Sequence, residues 1–423
     1  MVMSGTPPSK RRDRSIAPTR RRLLKAVGTS ATLGAAGVAG CLGTIGGDAE
    51  NTVTYATLNP MSGTYNSLGP TQRKGAELAA KHINESDEFG FELKLVKGDT
   101  ETDPTAAQQA ARRLVNKDGA QFLFGAISSS VALALNEFAQ DEEIIYNPGG
   151  AAVPITGEAC NEWVFRAETN TAQVAEAVSE YTVKNLGNRV WFHISDYAYG
   201  ESVLKRVRSR MEAADANLEV VGVSRSQLGA SNYDSFISGI GGSDAQVAVL
   251  GMTGSDLINF VGQAASQGLK DRVNLMSPTM TFAVVRGALG KAAVGTYGGV
   301  RYVPQLETGD NRAFVEAYRE EYDGEDPDNF ARVGYESLRM TARGIEAAES
   351  NEPAAVKDQL PGMEMDTIFG RNQFRACDHQ AMNPTWMGEL VEGSGETAGV
   401  KLLSKVEGKD ALPPCEQLGC SLG

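Results

Sequence analysis

The regular alternation of short apolar strands with longer amphipathic helices, from residue 52 to about residue 276, constrains the fold of this chain most strongly. Short buried strands separated by helices are typical of parallel sheets that are covered on both faces. The alternation forms two series, one ending near residue 146 and the other starting near residue 172. It therefore predicts an α/β fold with two lobes, in which helices flank parallel sheets with right-handed crossovers.

The predicted strands are three to seven residues long. They are Thr52–Leu58, Phe91–Lys97, Gln121–Gly125, Ile144–Tyr146, Arg189–Ile194, Leu218–Ser224, Gln246–Leu250 and Val273–Met276. Two long helices, near Asn311–Tyr322 and Phe330–Glu349, are predicted to follow the second series. The part of the chain after residue 51 exceeds what one hydrophobic core usually holds, which also favours two domains.

Three loops that follow predicted strands are candidates for binding a ligand: Gly125–Ser130, Asn147–Ala152 and Ser195–Gly200. Ligands of open α/β sheets bind beyond the carboxyl ends of the strands, where N–H groups of the next helix point outward. A Ser at a helix N-cap suits a carboxylate or amide oxygen, and small residues let a ligand reach the main chain. Such a turn is more often only structural, but its recurrence in both series favours a shared ligand site.

The N-terminal segment has the features of an export signal. Arg20 and Arg21 lie in a basic segment that fits the twin-arginine pattern, and the apolar stretch Ala26–Gly40 follows. As a helix this stretch would span about 22 Å, which is shorter than the hydrocarbon core of a membrane at about 30 Å. We therefore expect a signal peptide over residues 1–40 that engages the twin-arginine export machinery, and not a permanent membrane span.

Val38–Cys41 directly after the apolar stretch resembles a lipobox, in which the thiol of Cys41 takes a lipid. The alternative is an Ala/Gly-rich tail with chance arginines, which does not explain why basic segment, apolar stretch and cysteine occur in the required order. We expect lipidation of Cys41, a flexible tether over residues 41–51 and attachment to the outer face of the cell membrane.

The charge balance excludes one class of partner. Lys+Arg is 40 and Asp+Glu is 53, and residues 1–40 hold eight of the basic residues and one acid. The chain from Cys41 onward therefore has 32 basic and 52 acidic residues, a net charge of −20. This excludes a general nucleic-acid-binding surface, which needs basic patches. Acids spread along the whole chain indicate a salt-adapted protein, since about 1 M salt shortens the Debye length to about 3 Å.

Four cysteines remain after Cys41 is assigned to the lipid, and in an oxidising compartment they predict two disulfides. Cys415 and Cys420 are close enough in sequence to close a small terminal loop, which leaves Cys160 with Cys377. A zinc site is the rival interpretation, but the chain has no CxxC motif and only one of its three histidines lies near a cysteine. We expect no metal and no cofactor.

Asp378-His379-Gln380 is the segment that most resembles a catalytic motif. A catalytic triad needs a nucleophile that converges on these groups in space, which adjacency in sequence does not supply. The chain has no P-loop, dinucleotide fingerprint, HExxH or GxSxG motif in the required context. We therefore expect that the protein is not an enzyme.

Several short segments carry a family resemblance. They are Pro60–Gly63, Gly69, Gly75–Ala76, Gly125, Ser128–Ser129, Pro148–Ala151, Asp196, Tyr199–Gly200 and Phe374–Gln380. In this order and spacing, the chain from about Thr52 to Lys405 resembles the branched-chain amino acid and amide-type substrate-binding proteins of ABC importers. The resemblance implies the type I periplasmic-binding-protein fold, a monomer that works with ABC permease subunits, and lobes that close on a ligand by a hinge motion.

The resemblance also implies lobe boundaries. The three crossings between lobes would lie near Arg166–Asn170, Arg301–Pro304 and Phe374–Asp378. The N-terminal lobe would comprise residues 52–168 and 302–374, the C-terminal lobe residues 169–301 and 377–405, and a polar tail residues 406–423. A disulfide between Cys160 and Cys377 would then lie beside two crossings and fix the hinge.

Ligand-binding residues are implied position by position: Ser128, Ser129, Gly149, Gly150, Ala151, Tyr199, Thr253 and Thr279. Thr279 stands where amino-acid binders usually carry the glutamate that pairs with an α-ammonium group. A buried ammonium without a carboxylate partner is costly, so an amide, a urea-like compound or a small carboxylate becomes as plausible as a branched-chain amino acid. The alternative function is a lipid-anchored ligand sensor with the same fold. Related receptors usually continue into a signalling domain, whereas this chain ends at Gly423.

Overall fold

The helices and strands in the first half of the fold form where local features of the sequence favour them. The computed structural model describes residues 52–420 and Leu422. The expectations for Arg20, Arg21, Cys41 and the rest of residues 1–51 therefore lie outside the described residues. Asp103 illustrates the local logic, because its side chain accepts the N–H of Ala106 at 2.8 Å and caps a helix that begins at Pro104.

The first sheet has four parallel strands in the order β2-β1-β3-β4. Every residue of β3 and β4 is buried, as expected for strands that are covered on both faces. The elements are β1 (Thr52–Asn59), α1 (Gly69–Glu85), β2 (Glu92–Asp99), α2 (Pro104–Asn116), β3 (Phe122–Gly125), α3 (Ser129–Glu142) and β4 (Ile145–Pro148).

The second sheet has seven strands in the order β13-β12-β9-β8-β7-β5-β6. Its elements are α4 (Thr171–Tyr181), β5 (Arg189–Ser195), α5 (Ala198–Ala214), β6 (Glu219–Ser226), α6 (Asp234–Gly241), β7 (Val247–Gly251), α7 (Gly254–Ser266), β8 (Asn274–Ser277), α8 (Ala283–Leu289), β9 (Tyr297–Val300), β12 (Thr385–Val391) and β13 (Gly399–Val406). Strands β12 and β13 are antiparallel to their neighbours, whereas the sequence predicted parallel strands alone. Antiparallel strands need only a short connection, so strand–helix alternation gives no sign of them.

Helices α9 (Asn311–Glu321), α10 (Asn329–Ala348) and α11 (Pro353–Lys357) return to the first sheet, followed by the hairpin β10 (Met365–Thr367) and β11 (Gly370–Asn372). Helix α10 packs directly on α1 through glycines. A Cβ added at Gly75 would lie 1.9 Å from the carbonyl oxygen of Ala331, and one at Gly334 would lie 2.3 Å from that of Gln72. Glycine at these two positions lets the helix backbones approach each other. The two long helices expected from the sequence are confirmed.

A polar network joins the segments that connect the two sheets. Arg166, which is fully buried, donates from Nε to Gln380 Oε1 at 2.6 Å and from Nη1 to the Ala152 carbonyl at 2.6 Å. Gln380 Nε2 in turn donates to the Glu168 carbonyl at 2.8 Å. His379 stacks on Phe165 with ring centroids 4.1 Å apart. These contacts suit the hinge or strand-capping role that the resemblance implies for Asp378–Gln380, and that role stays a prediction.

The disulfide pairing expected from the sequence is wrong, although the four cysteines do form two disulfides. Cys160 bonds to Cys420 and Cys377 bonds to Cys415, with Cα–Cα distances of 5.9 and 6.2 Å. The C-terminal tail lies against the segment that carries Cys377, where Arg375 Nη1 donates to the Pro413 carbonyl at 2.7 Å. The short helices α12 (Gly408–Ala411) and α13 (Cys415–Leu418) carry this tail. Proximity in sequence was therefore a poor guide to pairing.

Cys377, Asp378 and Cys415 bring potential metal-ligand atoms within 4.8 Å of one another. Both sulfur atoms of this group belong to a disulfide, so they are not thiolates that could bind zinc. Within residues 52–420, no helix combines the length and the apolar character that crossing a membrane requires.

Candidate functional site

Loops at the carboxyl ends of the strands of both sheets meet in a buried apolar cluster. Tyr65, Leu68 and Ile127 come from loops and helices next to the first sheet, and Met252 and Phe282 follow strands β7 and β8 of the second. All five side chains are buried. This meeting of strand ends is where an α/β sheet usually binds its ligand.

Two tyrosines make a direct polar contact across this cluster. The hydroxyl groups of Tyr65, in the loop after β1, and Tyr197, at the start of α5, lie 2.5 Å apart. Burial raises the pKa of both hydroxyl groups well above the ordinary value for tyrosine, so both are protonated at neutral pH. The contact is therefore a hydrogen bond between neutral groups that links the two halves.

The residues expected in the first half lie in two adjacent loops. Ser128 is the N-cap residue of α3, and its hydroxyl does not cap the helix. The Ser129 hydroxyl accepts the N–H of Ala152 at 3.1 Å, and the N–H of Gly149 donates to the Gly125 carbonyl at 2.9 Å. The Ser129 hydroxyl and the Gly149 N–H therefore already form hydrogen bonds within the protein. The Ser128 hydroxyl, which does not cap the helix, is more readily available to a ligand.

The backbone carbonyls of Gly150 and Ala151, the other two residues expected in this half, accept hydrogen bonds from other segments of the protein. The Gly150 carbonyl accepts from Arg166 Nη1 at 3.1 Å, and the Ala151 carbonyl accepts the N–H of Thr171 at 2.9 Å. The Ala151 side chain packs in the same apolar cluster as Tyr199 from the second half. This packing places a ligand residue expected from the first half near one expected from the second half.

Of the residues expected in the second half, Tyr199 contacts a buried arginine. The Tyr199 hydroxyl hydrogen bonds to the Thr279 side chain and accepts from Arg301 Nη2 at 3.2 Å. Thr279 also donates to the Met252 carbonyl at 2.7 Å. Thr253 is the N-cap residue of α7, and its hydroxyl oxygen is buried without a hydrogen-bond partner in the described part of the chain.

Arg301 is the central residue of this region, and the sequence identified it only as the start of a crossing. Its side chain is 3% exposed and lies with Nη1 3.5 Å from Glu168 Oε1. Its guanidinium also lies 5.4 Å from the ring centre of Phe282. The one available signal was its position directly after an apolar run, but β9 has only four residues, of which two are glycine, and it was not predicted.

Glu168 is shared between two buried arginines. Arg332 Nη2 lies 3.6 Å from the same Glu168 oxygen, and Arg332 Nη1 donates to the Ala167 carbonyl at 2.8 Å. Burial lowers the pKa of Arg332, and the carboxylate of Glu168 opposes that effect. Glu168 also accepts from the Thr169 N–H at 2.8 Å and from Asn329 Nδ2 at 2.9 Å. The Glu168 carboxylate is therefore shared by two guanidinium groups.

Three buried polar atoms next to the expected ligand residues have no hydrogen-bond partner among residues 52–420 and Leu422. They are the Gln72 Nε2, Thr253 Oγ1 and Arg301 Nε atoms. A Cβ at Gly149 would lie 2.3 Å from Gln72 Nε2, which places that donor beside the loop after β4. Buried polar groups are nearly always satisfied, so unsatisfied atoms beside the expected ligand residues point to a bound molecule or solvent. All three can donate, and they suit a molecule rich in acceptors.

Comparison with known proteins shows the family of this chain. The family model described as periplasmic binding protein matches residues 52–396. An amino acid binding protein of Pseudomonas aeruginosa is 26% identical over 331 residues, which is 76% of this chain and 86% of that protein. The leucine-, isoleucine-, valine-, threonine- and alanine-binding protein of the same organism is 24% identical over 332 residues, 77% and 86% of the two chains.

Solved structures share the fold. An amino acid ABC transporter substrate-binding protein from Pseudomonas fluorescens has a TM-score of 0.79 at 24% identity, covering 89% of this chain and 100% of that one. A solute-binding protein of an ABC transporter from R. palustris, in complex with benzoate, has a TM-score of 0.75 at 23% identity, covering 84% and 98%. Both likenesses confirm the expected α/β fold with parallel-rich sheets flanked by helices.

Proposed function

This chain belongs to the periplasmic binding protein family, and on that premise we propose that it captures a small solute for an ABC importer. The family consists of extracytoplasmic solute-binding proteins and not of enzymes, which confirms the expectation that the chain is not an enzyme. The observation that carries the proposal is the meeting of strand-end loops from both sheets in the apolar cluster of Tyr65 and Met252, together with buried donors that have no partner in the described residues.

Ligand capture would involve closure of two lobes about the segments that connect the sheets. We assign residues 52–168 and 302–374 to one lobe and residues 169–301 and 377–405 to the other. The hydrogen bond between Tyr65 and Tyr197 supports this assignment, because it joins loops of the two sheets and would form only when the lobes are together. Ser128, Gly150, Ala151, Tyr199, Thr253 and Thr279 would surround the ligand.

The ligand classes that remain open are a branched-chain amino acid, an amide, a urea-like compound and a small carboxylate. The named amino-acid-binding relatives support the first class, and the relative bound to benzoate supports the last. Thr279, at the position where a glutamate was expected for an α-amino acid, weakens the case for the first.

Export and attachment complete the proposal. Arg20 and Arg21 would direct the chain to twin-arginine export, and a lipid on Cys41 would hold it at the outer face of the cell membrane within reach of the permease. One acyl chain binds a membrane only marginally, so durable attachment implies at least two chains on this residue.

A thermal-shift screen of the domain from residue 42 onward tests the ligand site. We expect at least one compound from a panel of amino acids, amides and small carboxylates to stabilise the protein. At 100 times its dissociation constant, a ligand adds about 2.7 kcal/mol to the free energy of unfolding. Ser128→Ala and Tyr199→Phe should weaken that ligand by about fivefold or more, since each removes one polar contact.

Ser209→Ala is the matched control, because Ser209 is exposed on α5 and should leave the affinity unchanged. If Ser128→Ala and Tyr199→Phe bind the ligand as tightly as the control does, the assignment of the ligand site is wrong. If no compound in the panel stabilises the wild-type protein, solute capture itself loses its support.

A further inference from the structure

Resting on the proposed function, we infer that the ligand is a small monocarboxylate without an ammonium group, and that Arg301 pairs with its carboxylate. The inference depends on four features of the region around Arg301: its charge, its unused donors, the acidic groups nearby and its apolar surroundings.

Among the described residues, Glu168 is the one carboxylate at ion-pair distance from the Arg301 and Arg332 guanidinium groups. Arg301 and Arg332 are 3% and 1% exposed, and Glu168 lies within 3.6 Å of both. Arg166 is a third buried guanidinium with an electrostatic influence on this group, and Asp378, which also acts on it, is paired with Arg375 at 2.5 Å. Burying a charge is costly unless it is paired, so an anionic ligand would add a counter-charge where two arginines share Glu168.

Arg301 also retains donors that the fold does not use. A guanidinium carries five N–H donors, and Nη2 donates to the Tyr199 hydroxyl at 3.2 Å. Its Nε is buried without a partner in the described residues. The Glu168 oxygen stands 3.5 Å from Nη1, which is an ion pair longer than a good hydrogen bond. A planar fork with free donors matches the two oxygens of a carboxylate.

The acidic groups of the second-half loops already accept hydrogen bonds or pair with arginines, so an α-ammonium group would have to compete for them. Glu168 lies between two arginines. Asp256, which is fully buried in the first turn of α7, accepts from the Ser195 hydroxyl at 2.7 Å and from the Gly229 N–H at 3.0 Å. Thr279 uses its hydroxyl for the Met252 carbonyl. A zwitterionic amino acid would bring a buried ammonium group into a region that already holds the buried Arg301 guanidinium.

The remaining surface suits an apolar body on the ligand. Phe282 lies under the Arg301 guanidinium and makes an edge contact with Phe330, with ring centres 5.2 Å apart. Leu68 and Met252 belong to the same buried apolar cluster. An aliphatic or aromatic chain would lie against these side chains while its carboxylate contacts Arg301.

Isothermal titration calorimetry with isosteric compounds tests the inference on the wild-type protein. One series is 4-methylpentanoate, 4-methylpentanamide and leucine, and the other is 3-phenylpropanoate, 3-phenylpropanamide and phenylalanine. Benzoate, acetate and hexanoate extend the acids to other sizes. We expect at least one acid to bind about 30-fold or more tightly than its own amide and its own amino acid, since losing a charged partner in a buried pair weakens binding by at least that factor.

Arg301→Met and Arg301→Lys test the residue. The Met variant should weaken the best acid by about 30-fold or more and reduce its advantage over the amide, while Lys should retain part of it because it keeps the charge but loses the fork. Arg312→Met, at a position that is 90% exposed, is the control and should bind like the wild type.

The outcomes separate this inference from the proposed function. Preference for an amino acid or an amide overturns the inference while solute capture stands. An unchanged acid affinity in a folded Arg301→Met variant also overturns it. Failure of every acid to bind overturns the inference, and failure of the amino acids and amides as well counts against solute capture. Because the comparison of acid, amide and amino acid needs no variant, a misfolded Arg301→Met protein would not obscure the result.

Discussion

The contact between the two halves includes a hydrogen bond between two tyrosine hydroxyl groups, and the loss of either hydroxyl has a cost in free energy. Tyr65 is 1% exposed, and its hydroxyl lies 2.5 Å from that of Tyr197. Removing one partner leaves the other hydroxyl buried and unsatisfied, which costs about 1–3 kcal/mol, whereas removing both is much less costly.

We therefore predict that Tyr65→Phe weakens ligand binding by about 5- to 100-fold, because it destabilises the closed arrangement alone. The double variant Tyr65→Phe/Tyr197→Phe should recover part of that loss. Calorimetric titration of the wild type and of the three variants gives the coupling energy directly. Additive losses in the double variant would show that the two hydroxyl groups act independently.

The same pair predicts how binding depends on pH. Burial raises the pKa of both hydroxyl groups above the value of about 10 that a tyrosine has in the open, solvated state. Below pH 10 the hydroxyls are neutral in either state, so this pair gives closure no pH dependence. Above it the open state loses a proton first, and closure weakens as the pH rises. Tyr65→Phe/Tyr197→Phe should remove this alkaline loss of affinity.

Individual site residues could be predicted from the sequence where they follow a recognisable strand, and could not be predicted elsewhere. Tyr199 and Thr279 follow predicted strands, and the structure places them in contact. Arg301 follows β9, whose Tyr-Gly-Gly-Val sequence is too short and too rich in glycine for a strand signal. Its partner Glu168 is 133 positions away in sequence, and no local pattern reports a contact at that distance.

Among the elements, the close contact of α1 with α10 depends on glycine in both helices. A Cβ at position 334 would lie 2.3 Å from the Gln72 carbonyl oxygen and 2.8 Å from the Ala76 nitrogen. Both are backbone atoms, so the helices would have to separate to accommodate it. The sequence predicted helix α10 correctly, but it could not predict which faces of the two helices would meet or how closely.

Gly334→Ala should therefore lower the free energy of unfolding by about 1–3 kcal/mol, because overpacking exceeds the gain in helix propensity of about 1 kcal/mol. Gly262→Ala in α7 is the matched control, since its Cβ would meet only Leu289 at an ordinary 3.7 Å. It should stabilise the protein by up to about 1 kcal/mol. Urea unfolding measures both, and equal effects would contradict the close contact between α1 and α10.

For the molecule as a whole, the proposed attachment through Cys41 separates location from ligand binding. Cys41→Ser should release the protein into the medium and leave its affinity for the ligand unchanged, because Cys41 precedes every residue assigned to the site. Fractionation of cells that express the variant, followed by titration of the released protein, checks both parts. Retention in the membrane fraction would contradict lipid attachment at this residue.

The true cysteine pairing has a consequence for how the chain withstands proteolysis. The Cys160–Cys420 bond spans 260 positions, and the Cys377–Cys415 bond, which spans 38, lies inside that interval. The longer bond closes a covalent ring that contains every strand of the second sheet, from β5 to β13. A single backbone cleavage anywhere in that ring leaves all the pieces joined, so a nicked molecule keeps its second half until a reductant opens the ring.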